Sequence, residues 1–231
     1  MLVQNVTVTL EREMVSMGLM EKMVKQSRKP TGRFGTFYAR LMNIGHSKVT
    51  RWGLSHVSIN SVNKGDMILD IGCGGGKTVN TLAKVAPGGK IYGIDYSEDC
   101  VAVASKINKK LIDAGRVEIL HASVESLPFP DNSFVLVTAV EAYYFWPDLI
   151  NNLQEIRRVL KPGGSVILVN EMYRHDRFEK RNANWARMGD FTYHLPEEFR
   201  VFLGDAGYSS IQIDVLESKN WITAIGVKNG T

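Results

Sequence analysis

The segment MILDIGCGGGK, residues 67–77, determines the fold of this chain. Its first five residues form an apolar run with the length of a β-strand. The glycines that follow permit a tight turn and lack the Cβ atoms that would block a closely approaching ligand. A helix is predicted at residues 78–85, and its N-terminus would add backbone N–H groups and a partial positive charge. We therefore expect a ligand-binding loop at residues 70–77.

Short apolar strands alternate with helices beyond this loop. This alternation is typical of parallel βαβ units, whose sheet is covered by helices on both faces. Right-handed crossovers place the carboxyl ends of the strands along one edge of the sheet, where we expect the functional site. The strands are predicted at residues 67–71, 90–95, 116–122, 134–141 and 165–171, and the helices at 78–85, 98–114 and 147–160.

The last quarter of the chain has a different pattern. Residues 172–195 combine aromatic and charged residues without a clean period, and we interpret them as an insertion on the substrate side. A helix is predicted at 196–206, and two further strands are predicted at 211–217 and 221–227. Three residues join those strands, which is too short for a parallel crossover, so the two strands must form an antiparallel hairpin.

The composition excludes several classes of protein. The 231 residues are 44% hydrophobic and 23% charged, which is typical of a soluble globular protein rather than a disordered or fibrous one. The sequence has no signal-peptide pattern and no run of ~20 apolar residues that would span a membrane. Its two cysteines, Cys73 and Cys100, form neither a CxxC pair nor a disulfide framework, so we expect a cytoplasmic protein.

The N-terminal quarter is basic. Residues 1–65 contain ten Lys and Arg against three Asp and Glu. Methionines recur at every third position over residues 14–23 and a second helix is predicted at 34–44, so residues 1–60 are expected to form a helical cap or lid. The basic residues form either a solvated helix face or a lip that attracts an anionic substrate. Nucleic acid is a weaker candidate, because the chain has no dense basic run and no known reader motif.

Three ligand classes use glycine loops of this kind. A P-loop requires a glycine five residues before Gly76, but Ile71 occupies that position, so a phosphate cradle would be too short. A dinucleotide-binding loop requires G-x-G-x-x-G, in which Gly72 and Gly74 fit but Lys77 replaces the third glycine. The third class has the motif D-x-G-x-G-x-G, which residues 70–76 match throughout.

That motif resembles the first motif of class I S-adenosylmethionine-dependent methyltransferases. Two further segments, LPFPDNSF at 127–134 and LKPGG at 160–164, are similar to the type-11 branch of this family, which is related to ubiquinone and menaquinone biosynthesis enzymes. The segment AGY at 206–208, before the terminal hairpin, also fits that fold. The resemblance covers residues 65–227 in motif order.

The resemblance implies a fold and an activity. The fold is α/β, with a three-layer, Rossmann-like, seven-stranded sheet in the order 3-2-1-4-5-7-6 and an antiparallel last strand. Residues 61–231 would form the cofactor-binding core and residues 1–60 the cap. The implied activity is in-line methyl transfer from S-adenosylmethionine to a small-molecule acceptor, leaving S-adenosylhomocysteine. The alternatives are a non-catalytic protein that binds either molecule, and an NAD-dependent oxidoreductase.

The resemblance also implies which residues bind the cofactor. Asp95, nineteen residues after the last glycine of the motif, would accept hydrogen bonds from both ribose hydroxyls. Tyr96 would cover one face of the adenine, and the first two glycines would flank the methionine part. Asp70 would orient the loop from beneath or cap its strand. The predicted cofactor-binding residues are Asp70, Gly72, Gly74, Gly76, Asp95, Tyr96, Ala122, Ser123 and Val124.

The adenine position departs from the pattern of the family. The family commonly has an acidic residue after strand three that bonds the adenine amino group, and here Ala122 and Ser123 occupy that place. Either the Ser123 hydroxyl or the backbone N–H of Val124 would take over adenine recognition.

Substrate residues are expected after strands four and five. The segment EAYYFW, residues 141–146, either packs the following helix against the sheet or forms a wall of the substrate site. Glu141 would accept a proton from the acceptor or bind a cation. We expect no metal site, and the acceptor and the oligomeric state stay open. The predicted catalytic residues are Glu141 and Tyr143, and the predicted substrate-side residues are Tyr144, Trp146, Asn170, Glu171, Tyr173 and His46.

Overall fold

The computed structural model of this chain describes residues 46–59 and 62–230. The predicted N-terminal helices, including the one at 34–44, lie outside the described residues. The cap assigned to residues 1–60 therefore stays a prediction.

The described residues form a seven-stranded sheet in the order β3-β2-β1-β4-β5-β7-β6. Strands β1 to β5 pair in parallel, and β7 runs antiparallel to both β5 and β6. The predicted fold class is confirmed, including the terminal hairpin. The strands are Met67–Ile71 (β1), Lys90–Asp95 (β2), Val117–His121 (β3), Phe134–Val140 (β4), Leu160–Asn170 (β5), Ser209–Leu216 (β6) and Trp221–Val227 (β7).

Helices cover both faces of this sheet. Neighbouring side chains along a strand point to opposite faces, so Ile68 belongs to one apolar cluster and Leu69 to the other. Among the described residues, no helix is both long and apolar enough to cross a membrane. The α-helices are Ser47–Leu54 (α1), Lys77–Val85 (α2), Glu98–Ile107 (α3), Lys109–Asp113 (α4), Leu149–Val159 (α5), Glu179–Gly189 (α6) and Pro196–Asp205 (α7), with 3-10 helices at Tyr143–Phe145 and Asp176–Phe178.

The predicted helix at 98–114 is interrupted at Asn108. The Asn108 side chain is buried, and its amide donates to the carbonyl oxygens of Gly76 and Ala104 at 2.9 and 3.0 Å. The interruption therefore joins the end of α3 to the glycine loop. A contact between residues so far apart in the chain gives no local signal in the sequence.

Strand β5 begins at Leu160, five residues earlier than predicted. Residues 161–164, which separate the predicted helix at 147–160 from the predicted strand, lie inside β5, where the pairing with β4 shifts between Phe134 and Leu136. A Cβ on Gly164 would lie 2.9 Å from the Lys161 carbonyl oxygen and 3.0 Å from that of Phe134. Glycine thus allows a bulge at this position.

Helix α1 was not predicted as a separate helix, because the last helix predicted in the N-terminal segment ends at residue 44. It packs against β5 so closely that a Cβ on Gly53 would lie 2.5 Å from both Cγ atoms of Val169. Its Val49 and Leu54 are buried in the same apolar cluster as Ile68. This packing also brings His46, the residue before α1, to the sheet edge.

Candidate active site

A cavity of about 750 Å³ opens at the carboxyl edge of the sheet. Its wall is formed by residues at and after the ends of β1 to β5, together with parts of α1 and α6. The sequence-predicted site residues that line it are His46, Gly72, Gly74, Asp95, Tyr96, Ala122, Ser123, Val124, Glu141, Tyr144, Trp146 and Glu171.

The backbone conformation of the glycine loop, and the space beside it, require residues that have no side chain. Gly72, Gly74 and Gly76 all have positive φ angles, of 67°, 52° and 79°. A Cβ on Gly72 would lie 2.7 Å from the Cβ of Ala142, whereas a Cβ on Gly74 would meet no atom within 4 Å. Gly76 does not line the cavity and instead forms the N-cap of α2. The loop therefore allows a ligand to approach its backbone closely at Gly74.

Asp70 lies beneath this loop and outside the cavity lining. Its side chain is 1% exposed, and its Oδ1 accepts a 2.6 Å hydrogen bond from the Thr138 hydroxyl on β4. Burial raises the pKa of Asp70 to about 7, with a further increase from the charge of Asp95 and an opposing decrease from the Thr138 bond. The carboxyl group of Asp70 therefore connects β1 to β4 and does not face the cavity.

Asp95 lines the cavity, and two backbone N–H groups hold its carboxylate in place. Its Oδ2 accepts from the Gly74 N–H and its Oδ1 accepts from the Ser97 N–H, both at 2.9 Å. Each carboxylate oxygen retains a further lone pair, so the group can still accept from two ribose hydroxyls. Burial raises the pKa of Asp95, opposed by these two N–H donors and by the charge of His121. The residue fits the ribose role expected of it.

An acidic residue that was not predicted, Glu125, lies in the part of the cavity where adenine binding is expected. Glu125 lines the cavity beside Ala122, Ser123 and Val124. The Ser123 hydroxyl donates to Glu125 Oε2 at 3.0 Å and accepts from the Glu125 N–H at 3.3 Å. Because the Ser123 hydroxyl donates to Glu125, the Ser123 oxygen can accept a hydrogen bond from a ligand. Glu125 lies two residues beyond Ser123, and its place shortly after β3 is the signal for it in the sequence.

Glu141 occupies a strained position at the end of β4. Its φ angle is 55°, in the left-handed region that non-glycine residues rarely adopt, and such strain concentrates at functional sites. Its N–H still donates to the Val169 carbonyl at 2.9 Å, so the sheet pairing continues up to the turn. Its Oε1 accepts from the backbone N–H of Glu171, which orients the carboxyl group in the cavity wall.

His46 and Glu171 lie beside Glu141 in the same wall. His46 Nδ1 is 3.7 Å from Glu171 Oε2, and the two side chains are 31% and 35% exposed, so both are accessible from the cavity. Burial raises the pKa of Glu141 to about 7, and the charge of Glu171 raises it further, while His46 opposes the rise. For His46, burial alone would lower the pKa, but the interaction with Glu171 and the charge of Glu141 outweigh it and raise the pKa.

Aromatic residues form the other side of the cavity. The Phe191 ring is 5.1 Å from that of Tyr144 and 5.6 Å from that of Phe145, and the Tyr144 hydroxyl donates to the Met172 carbonyl at 3.1 Å. Arg181 lines the cavity from α6. Of the aromatic residues in 172–195, the sequence led only to Tyr173 as a site residue, whereas the structure places Trp185 and Phe191 in the cavity lining. The set we term the aromatic wall is Tyr144, Phe145, Trp146, Trp185 and Phe191.

Besides Asp70 and Gly76, three predicted site residues lie outside the cavity lining. Tyr143 packs against Phe199, with ring centroids 5.1 Å apart. Asn170 is fully buried in β5, opposite β7. Tyr173 is 2% exposed, and its carbonyl accepts from Asn182 at 2.9 Å. All three belong to the packed interior. The 3-10 helix turns Tyr143 inward, and Asn170 points away from the cavity because side chains of successive strand residues alternate in direction.

No group of three or more His, Cys, Asp and Glu side chains in the described part of the chain is arranged to hold a metal ion. The fold, the glycine loop and the placement of Asp95 together define an S-adenosylmethionine-binding methyltransferase architecture.

Comparisons with known proteins agree with this class. A family model described as a methyltransferase domain matches residues 69–168. The chain is 30% identical over 200 residues to demethylmenaquinone methyltransferase from Staphylococcus aureus strain JH9, covering 76% of this chain and 82% of that relative. The chain therefore belongs to the type-11 branch of class I methyltransferases, which use S-adenosylmethionine as methyl donor. This membership decides against the NAD-dependent interpretation.

Solved structures share the fold at low sequence identity. Phosphoethanolamine N-methyltransferase 2 from Haemonchus contortus, in complex with S-adenosylmethionine, has a TM-score of 0.72 and 18% identity, covering 84% of this chain and 57% of that one. Geranyl diphosphate C-methyltransferase from Streptomyces coelicolor, in complex with S-adenosylhomocysteine, has a TM-score of 0.66 and 14% identity, covering 79% and 76%. At this level of sequence identity, the similarity shows that the three proteins share a fold.

Proposed function

We propose that this methyltransferase acts on a small-molecule acceptor that binds between the glycine loop and the aromatic wall. The observation that carries the proposal is the continuity of the cavity, in which residues expected to bind the cofactor and large aromatic side chains line one volume of about 750 Å³. A pocket with apolar walls and a few polar groups suits a small ligand. Demethylmenaquinone, the acceptor named for the S. aureus relative, is also a small molecule.

We assign the cofactor roles as follows. The methionine part lies against the backbone of Gly72 and in the open space above Gly74, Asp95 accepts from the ribose, and Ser123 accepts from the adenine amino group. When bound, S-adenosylmethionine supplies a methyl group activated on a sulfonium. The aromatic wall orients the acceptor and excludes water. Of the two predicted catalytic residues, Glu141 is favoured over Tyr143, because only Glu141 lines the cavity.

A labelling experiment tests the acceptor class. The protein is incubated with S-adenosylmethionine carrying a radioactive methyl group and, separately, with the small-molecule, tRNA and protein fractions of a bacterial extract. We expect label in the small-molecule fraction. Label in tRNA alone would overturn the small-molecule proposal. No label in any fraction, together with tight binding of S-adenosylhomocysteine, would support the non-catalytic binding alternative. A cytoplasmic location and the absence of a nucleic-acid partner belong to the same proposal.

A further inference from the structure

Three ionisable side chains from distant parts of the chain meet at one place in the cavity wall. Glu141 follows β4, Glu171 follows β5, and His46 precedes α1. The backbone of Glu171 donates to the carboxyl of Glu141, and the side chain of Glu171 lies 3.7 Å from the imidazole of His46. We term these three residues the acid–histidine cluster.

We propose that the acid–histidine cluster removes a proton from the acceptor, with Glu141 as the base and His46, held by Glu171, as the positioning residue that keeps Glu141 ionised. This inference rests on the proposed function, because it concerns the acceptor of the same site. It adds a substrate class, namely acceptors whose methylated atom carries a removable proton.

The step balances in atoms and charge. The acceptor atom loses its proton to the Glu141 carboxylate, and the electron pair of the broken bond forms the new bond to the methyl carbon. The carbon–sulfur bond breaks, and its electron pair stays on sulfur. The positive charge of the sulfonium and the negative charge of Glu141 disappear together, and the step leaves the protonation of His46 and Glu171 unchanged.

The surroundings of Glu141 favour a base over a cation ligand. A carboxylate that binds a cationic acceptor is best fully ionised at neutral pH. Burial instead raises the pKa of Glu141 to about 7, so that this group exchanges a proton near neutral pH. When it is protonated, His46 beside Glu171 supplies a positive charge in the same wall. A base whose pKa is close to neutral is well suited to proton transfer at physiological pH. The cluster thus resolves the choice that the sequence left open.

The charged groups around Glu141 come from each neighbouring segment. Of the described residues, His46 faces it from the segment before α1 and Glu171 faces it from the end of β5. Tyr143 and Tyr144 lie nearby on the 3-10 helix, and burial raises the pKa of both hydroxyls far above neutral, so they stay uncharged. Burial, the imidazole of His46 and the carboxylate of Glu171 therefore set the charge of Glu141 together.

The substrate class follows from this chemistry. Acceptors with a hydroxyl, an N–H or an acidic C–H at the methylated atom need the base. A tertiary amine or a thioether carries no proton there and gains nothing from it. We therefore expect a methylated phenol, enol, amine or carbon acid among the products, with an apolar portion that the aromatic wall can contact.

The first test measures the cluster without any acceptor. The ring signals of the five histidines are followed by NMR as a function of pH, and His46→Asn identifies the signal of His46. We expect the titration midpoint of His46 to fall in both Glu141→Gln and Glu171→Gln, because each change removes a negative charge that stabilises the imidazolium. The matched control is Glu118→Gln. Glu118 lies on the outermost strand β3 and does not line the cavity, so this change should leave the midpoint unchanged. An unchanged midpoint in both cluster variants would overturn the proposal.

The second test measures methyl transfer to the small-molecule extract as a function of pH. Glu141→Gln should lower the rate by about 100-fold or more, since general bases contribute roughly 10²–10⁴-fold. His46→Asn should move the rising limb of the pH profile to higher pH, because loss of the imidazolium makes Glu141 harder to ionise. His56→Asn, whose imidazole bonds to the Trp52 carbonyl away from the cavity, should leave the profile unchanged.

The outcomes separate this inference from the proposed function. If the wild-type protein transfers methyl groups and Glu141→Gln does so at the same rate, the base assignment is wrong while the methyltransferase function stands. If the wild-type protein labels no small molecule, the proposed function fails, and the histidine titration still decides whether the cluster is coupled. Calorimetry with S-adenosylhomocysteine checks that each variant retains an intact cofactor site.

Discussion

Asp95 holds the end of β2 to the glycine loop through Gly74 and to the start of α3 through Ser97. Replacing Asp95 by alanine removes these acceptors and the proposed ribose contact together. We expect Asp95→Ala to weaken the binding of S-adenosylhomocysteine by roughly 1–3 kcal/mol, the cost of losing hydrogen bonds to a charged group. Isothermal titration calorimetry measures this change, and an unaltered affinity would remove the ribose assignment.

The control for that variant lies two residues away. The Ser97 side chain accepts from the Cys100 N–H and caps α3. Ser97→Ala should lower the free energy of unfolding by about 0.5–2 kcal/mol, the usual cost of a lost cap. It should change the affinity for S-adenosylhomocysteine much less than Asp95→Ala does, because the carboxylate stays in place.

Glu141 should also make stability depend on pH. Its pKa is about 7 in the folded protein, above the ~4.3 of an unfolded chain, so the folded state binds the extra proton between those values. The free energy of unfolding therefore falls as pH rises through that window. We expect Glu141→Gln to raise the melting temperature at pH 8 and to change it little at pH 5, where Glu141 is already neutral. A stabilisation of equal size at both pH values would contradict this account.

At the scale of elements, α1 is held against the sheet at Gly53. Any side chain there meets the Cγ atoms of Val169, so Gly53→Ala should destabilise the fold by about 1–3 kcal/mol through overpacking. Val169→Ala in the same protein should restore part of that loss. Chemical denaturation of the single and double variants measures the coupling, and purely additive effects would show that the contact is not tight.

A second helical glycine provides the comparison. A Cβ on Gly204, in α7, would have its nearest neighbour 3.9 Å away at Ile211 Cδ1. Gly204→Ala should therefore stabilise the protein by roughly 0.5–1 kcal/mol through helix propensity alone. Opposite signs for the two substitutions would establish that packing, not helix propensity, decides the outcome at Gly53.

For the whole molecule, cofactor binding should stabilise the native state. At a concentration 100 times its dissociation constant, S-adenosylhomocysteine should add about 2.7 kcal/mol. This corresponds to a rise in melting temperature of roughly 5–10 °C for a chain of this length. NADH at the same concentration should give no rise. A shift with NADH and none with S-adenosylhomocysteine would overturn the assignment of the glycine loop.

The order of elements in the whole fold was predictable because its signals are local. Alternating apolar strands and helices, the glycine loop at 70–76 and the three-residue link between the last strands each lie in a continuous stretch of sequence. The break at Asn108 and the bulge at 161–164 were not predicted, since each depends on a contact with a remote backbone group.

By itself, the sequence determined the class of fold, the kind of cofactor and the candidate residues after each strand. Only the tertiary structure decided which candidates face the cavity, turning Glu141 into it and Tyr143 away. It also brought His46, Glu141 and Glu171 together from positions up to 125 residues apart. The physical reason is that strand and loop patterns arise from neighbouring residues, whereas charge coupling and burial depend on distances in space that the linear order does not contain.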